Sequence, residues 1–260
     1  MKHFDPGMLE QISDSPITGD DTFSFRCHAA LACFTQCCRN LNLFLYPYDL
    51  LRLKKSLGIT SGTFIDRHVD VVLREGRHFP EVLLRMAEDD QRSCPFMEPE
   101  GCRVYADRPH TCRTFPLEQG ILFGDESGRD APVAFFRPPE FCRGHYEDRP
   151  WTIETWNRDQ QAERHHDFNL RWSQVHRLFE NDPWGAEGPQ GSKAKMAFMA
   201  VYNLDSFREF VFNSSFLKRF RVQAELTMRL RRSDEALLTF GYEWIGLFVW
   251  GQPSKIIRPR

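Results

Sequence analysis

Apolar positions along the chain fall into three regimes. The first 26 residues are polar, with no apolar run of seven, and predict a weakly structured arm. Leu41–Leu45 suits a short buried strand. Pro47 then opens a helix: proline fits the first turn, Asp49 favours the positive end and Gly58 suits the stop. Leu50, Leu53 and Leu57 share one face of that helix. Ser61 is placed to cap a second helix through Phe64 and Ile65. Over residues 79–145 prolines and glycines interrupt short apolar runs, Val82–Met86, Ile121–Phe123 and Val133–Phe136, which read as strands between loops.

Helical spacing returns afterwards. Residues 151–180 predict one charged amphipathic helix with Trp156, Phe168, Trp172, Val175 and Phe179 as its apolar points. Residues 181–192 read as a linker. Further helices are expected over 193–203, 205–213 and 215–230, and a last one from Asp234 through Trp250, capped by Ser233. No internal repeat is present. The pattern predicts an α+β chain with three parts: a polar arm (1–26), a small loop-rich domain of short strands and helices held by cysteine-ligated metal (27–146), and a mostly helical region (147–260).

At 260 residues the chain is long enough to bury a substantial core. Its formal net charge of −2 gives no reason to expect nucleic acid or an anionic membrane as partner. Basic residues are strongly biased, 27 Arg against 7 Lys, a bias that suits fixed hydrogen-bonding geometry and equally a GC-rich genome. The acidic opening residues do not form a signal peptide. The longest apolar stretch, Trp244–Trp250, is far too short to span a bilayer. A cytoplasmic address is the default expectation, and there eight cysteines call for metal or redox chemistry before disulfides.

Those cysteines form two groups. The first is Cys27, Cys33, Cys37 and Cys38; the second is Cys94, Cys102 and Cys112, followed at a distance by Cys142. A zinc ion or a four-iron cluster wants four thiolates in a roughly tetrahedral array, which short spacings make cheap in loop entropy. All eight are candidate metal ligands, for one site or two. Buried free cysteines also act as small hydrophobes, an explanation suited to a lone Cys142 but not to four thiols within twelve residues. Five cysteines adjoin an arginine (Arg26, Arg39, Arg103, Arg113, Arg143), whose charge would offset an anionic thiolate site and donate hydrogen bonds to sulfur. His28, His110 and His145 have ligand-like positions but read first as loop histidines. His165 and His166 read as solvated on a charged helix face, and Asp49 and Asp107 as caps or arginine partners.

Three stretches resemble the YkgJ-type, or CxxCxxCC, cysteine-cluster family. They are Cys33-x3-Cys37-Cys38, the helix start Pro47-Tyr48-Asp49-Leu50, and Cys94-Pro95-Phe96 through Cys102-Arg103-Val104-Tyr105, Arg108-Pro109 and Cys112-Arg113-Thr114-Phe115-Pro116. The resemblance covers residues 25–145. It departs in the opening spacing, where five residues rather than two or three separate Cys27 from Cys33. It implies a zinc- or iron-chelating domain, with an iron–sulfur cluster, 4Fe–4S in type, or zinc as the cofactor.

Three functions are open at this level. The first is a cysteine-ligated cluster or zinc protein with a structural or redox role. The second, from the family's similarity to flagellin lysine methylases, is methyl transfer from S-adenosylmethionine to a protein lysine; no glycine-rich strand-to-helix loop supports it independently. The third is an interaction module using the C-terminal aromatics, whose helical spacing reads first as core. No Ser/His/Asp set, Walker loop or HExxH helix is present. Catalytic residues, and any protein partner, are not identified by the sequence.

Overall fold

A computed structural model describes residues 2–4, 15–124 and 131–260; side chains of residues 2–4 and 131 are outside that description. Most of the opening arm, residues 5–14, therefore lies outside the described residues, while Lys2–Phe4 is a strand. The architecture is α+β, as the pattern predicts. No helix among the described residues is long and apolar enough to cross a membrane. The chain forms two compact units, one from residues 1–43 and 85–173, the other from 44–84 and 174–260.

All eight cysteines belong to the first unit. Its largest sheet has three strands in the order Lys2–Phe4, Leu117–Leu122, Ala131–Phe136, the first pair parallel and the second antiparallel with Leu117 opposite Phe136. Two ribbons accompany it, Phe23–Ser24 with Pro150–Trp151 and Met97–Glu98 with Gly101–Cys102. The core is aromatic. Trp156 meets Phe25 edge-on at 5.5 Å, Phe23 at 6.0 Å and Trp151 at 5.2 Å, and Cys142 is buried among the same residues. Both indoles find acceptors: Trp156 donates to Thr114 O at 3.0 Å and Trp151 to Phe25 O at 2.8 Å.

The single helix predicted over 151–180 is two helices, Ile153–Asp159 and Glu163–Arg177, followed by a tight turn over Leu178–Glu180. The break has a cause distant in sequence. Arg113 Nη1 donates to Gln160 O at 2.6 Å and Arg108 Nη2 to the Gln160 side chain at 2.7 Å, while Gln161 takes φ 52°. A carbonyl captured by a guanidinium no longer serves the helical ladder.

In the second unit the helix Pro47–Leu57 has the predicted bounds. The Asp49 carboxylate accepts the Tyr46 N–H at 2.9 Å, and Gly58 closes the helix at φ 65°. Leu45 is buried as expected, as is Leu43 at the end of the first unit, but Phe44 makes only an isolated bridge to Leu83, with Leu45 N–H donating to Val82 O at 2.8 Å, so no strand forms there. The next helix, Ser61–His68, is capped by Thr60, whose hydroxyl accepts the Thr63 N–H; the Ser61 hydroxyl is spent on Asp205 Oδ2 at 2.7 Å. A hairpin pairs Val69–Val72 with Glu81–Leu84. Helices Ser192–Val201, Leu204–Asn213, Phe216–Arg219, Ala224–Arg232 and Asp234–Trp250 complete the unit, Ser233 capping the last through Ala236 N. The segment predicted as one helix over 215–230 is split by the strand Phe220–Arg221. Phe207, Phe216, Phe240 and Trp244 are core rings, whereas Phe248 is exposed. Beneath them Lys54 is almost fully buried, bonded to Asp205 at 3.0–3.1 Å and to Asp234 at 3.0 Å.

Candidate metal centre

The cysteine loops are stitched together by backbone bonds. Cys94 N–H donates to Cys38 O at 2.8 Å, and Arg39 bridges Ser93, so the two sequence groups adjoin. Arg26 N–H donates to Gly144 O at 2.9 Å and Phe25 N–H to Arg149 O at 3.0 Å, which sets the segment before Cys27 along the loop that carries Cys142. Cys142 N–H bonds Pro139 O, closing that loop into a turn. Gly144 is needed for this approach: a Cβ there would stand 2.8 Å from Arg26 O and 2.7 Å from a Phe25 ring carbon.

The thiols sense one another. Cys27 is held up to about 11 by burial and then by its neighbours Cys37, Cys33 and Cys142. Cys37 is raised further by a hydrogen bond with Cys38 and by burial. Burial, with Cys33 and Cys37 close by, also raises Cys142. Cys94 is raised by burial, with Cys102 and Cys37 adding to the effect. Seven of the eight are thus linked, Cys37 standing between the groups. Cys112 lies on the short helix His110–Thr114. All eight are free of disulfides.

Backbone donors converge on the sulfurs. Arg143 N–H donates to Cys33 Sγ at 3.1 Å. The N–H groups of Gly144 and His145 favour the thiolate of Cys142, those of Phe96 and Met97 that of Cys94, and that of Val104 that of Cys102. In each case the donors sit two or three residues after the cysteine, in a tight turn that wraps the sulfur. Fixed N–H dipoles aimed at sulfur stabilise the charge a metal-bound thiolate carries. Arginine acts more selectively than adjacency suggests. Arg39 favours the Cys37 thiolate, and Arg108 and Arg103 that of Cys102. The buried Arg113 instead bonds the carbonyls of Gln160 and Ala106, a structural task. Among the described residues no three of His, Cys, Asp and Glu stand in an array that could hold a single metal ion.

The histidines divide. His28 pairs with Glu147 at 3.2 Å, and His145 lies against Tyr146, the rings tilted by 42° with centroids 3.9 Å apart. His165 and His166 are not the solvated pair that the charged helix face predicts. Both lie 6.3 Å from the buried His110 ring, and burial pushes His110 well below, and His166 below, the usual imidazole range. One helical turn on, Asn169 is fully buried with neither amide atom hydrogen-bonded. Only the His110 end of this group was a sequence candidate; a polar pattern on one helix cannot show which face a distant histidine will cover.

Residues 26–169, more than half of the chain, match the family CxxCxxCC, described as "Putative zinc- or iron-chelating domain". The chain belongs to this family. No curated protein and no solved structure matches it. The CxxCxxCC match spans every cysteine, both histidine groups and the break between the two helices, and it makes the cysteine unit a metal-binding domain of the zinc- or iron-chelating class.

Proposed function

We propose that the cysteine unit holds an iron–sulfur cluster of the 4Fe–4S type, ligated by Cys27, Cys33, Cys37 and Cys142. Cys38, Cys94, Cys102 and Cys112 remain as the thiols for a second centre. The reading is supported by the nearness of Cys33, Cys37 and Cys142 to Cys27, and of Cys33 and Cys37 to Cys142, with backbone N–H donors on Cys33 and Cys142. The donor set fits the group: all-thiolate ligation suits iron–sulfur chemistry, and N–H···S bonds are among the features that tune it. When bound, the cluster supplies cross-links between distant segments and a one-electron couple. The protein's own part is to bring thiols from residues 27–38 and 142 together and to neutralise their charge by N–H dipoles and Arg39. Because Cys142 is also a member of the aromatic core, ligation and folding are coupled, and the primary role is structural.

Absorption spectra of anaerobically purified protein test this reading. A broad band near about 400 nm is expected, lost in Cys37→Ser and Cys142→Ser. A colourless parent protein carrying one or two zinc ions would overturn it.

A further inference from the structure

The overall charge of −2 conceals a segregated surface. Residues 215–232 and 251–260, all in the second unit, contain nine Lys or Arg side chains against one acidic side chain, Glu225. Four of these arginines lie in or directly beside one short ribbon. Phe220–Arg221 pairs antiparallel with Arg258–Pro259, Phe220 opposite Pro259 and Arg221 opposite Arg258, and Arg260 N–H donates to Arg219 O at 2.9 Å. Side chains alternate along a strand and cross-strand partners share a face. Arg221 and Arg258 therefore share the outer face, and Arg219 and Arg260, which flank the paired residues, are exposed beside them. The inner face carries Phe220, which packs on Phe216 at 5.0 Å and Trp244 at 5.3 Å, and the buried Ile257.

Like charges directly opposite one another destabilise a strand pair. Three other arginines are each answered by a carboxylate, in Arg74–Glu81, Arg137–Glu118 and Arg158–Glu154. Among the described residues the four ribbon arginines make no carboxylate ion pair, and all four are exposed. The helix that follows at once, Ala224–Arg232, adds exposed Arg229, Arg231 and Arg232. A membrane surface would call for an apolar face beside the charges, and this segment exposes a single large apolar side chain, Met228. Seven of the nine cations are arginine, whose planar fork matches phosphate oxygens two at a time.

We infer that this ribbon and helix bind the phosphodiester backbone of a nucleic-acid duplex. A two-stranded ribbon is of a size that the major groove admits. The contacts are to phosphate, so the binding is independent of sequence.

The test uses the full-length, anaerobically purified protein and a fluorescein-labelled mixed-sequence 25-base-pair DNA duplex, read by anisotropy between 50 and 200 mM salt. Four phosphate contacts predict about a 100-fold loss of affinity over that range. The combined substitution Arg219→Gln, Arg221→Gln, Arg258→Gln, Arg260→Gln is expected to weaken binding at 50 mM salt more than tenfold and to flatten the salt slope, with an unchanged circular dichroism spectrum. Arg158→Gln, which touches only a paired surface arginine, leaves binding as it was. The inference is overturned if the duplex does not bind at 50 mM salt, if the combined variant binds like the parent, or if phosphatidylserine vesicles bind more tightly than the duplex.

Discussion

Gly144→Ala is the sharpest probe of how the cysteine loops are joined. The added methyl would stand 2.7 Å from Phe25 Cε2 and 2.8 Å from Arg26 O, closer than Cβ atoms approach, and the second neighbour is backbone that cannot rotate aside. Relief requires the 25–26 segment to move away from the 142–146 loop by several tenths of an ångström. That movement strains the Arg26 N–H···O Gly144 bond of 2.9 Å and the edge-on contact of Phe25 with Trp156. Overpacking of this kind costs about 1–3 kcal/mol, and one weakened backbone bond adds about 0.5–1.5 kcal/mol. The total, roughly 2–4 kcal/mol, corresponds to a fall in Tm of about 5–12 °C for a chain of this size. Since the displaced segments carry Cys27 and Cys142, metal per chain should fall as well. Differential scanning calorimetry and metal analysis of the same samples read both effects, with Gly19→Ala, where a Cβ meets nothing within 4 Å, as the control. A Gly144→Ala protein with parental Tm and full metal content would refute the reasoning.

Other outcomes follow from the same geometry. Lys54→Met removes the buried cation that Asp205 and Asp234 share and should lower the urea midpoint by an amount equivalent to about 1–3 kcal/mol, since both carboxylates are partly exposed and keep Ser61 and Arg208; an unchanged midpoint would mean that these ion pairs are idle. Although burial opposes it, the Asp205 carboxyl is held below 3.8 by the Ser61 N–H and hydroxyl and by Lys54. A carboxyl lowered on folding adds stability that is complete above the unfolded value and is lost as pH falls through the folded one. Acid titration of Asp205→Asn should therefore show a smaller loss of stability below about pH 4 than the parent. Cys27 at about 11 is protonated at neutral pH, so ligation must release its proton. Metal or cluster uptake followed in weakly buffered solution should acidify the medium, and uptake without proton release would count against thiolate ligation by this residue.

The sequence foretells most where structure is set by neighbours. Pro47, Asp49 and Gly58 define a helix through local caps, and Ser233 starts the last helix for the same reason. It foretells least where a distant side chain intervenes. Arg113 takes the carbonyl of Gln160 across 47 residues and splits the helix predicted over 151–180. Asp205 draws the Ser61 hydroxyl away from capping across 144. The cysteines were legible as candidate ligands by type and number. Their grouping was not, because Cys142 reaches Cys33 through a contact 110 residues apart, made by Arg143 N–H. The interleaving of 44–84 with the C-terminal helices and the gathering of His165 and His166 around His110 depend likewise on tertiary packing that no local spacing encodes.

Iron, zinc and acid-labile sulfide counted together in protein purified without oxygen test the central claim most directly. A 4Fe–4S centre predicts iron and sulfide in equal amounts, about four of each per centre, with that amount of both lost in Cys37→Ser. Stoichiometric zinc without sulfide, or a folded protein devoid of both metals, would contradict it.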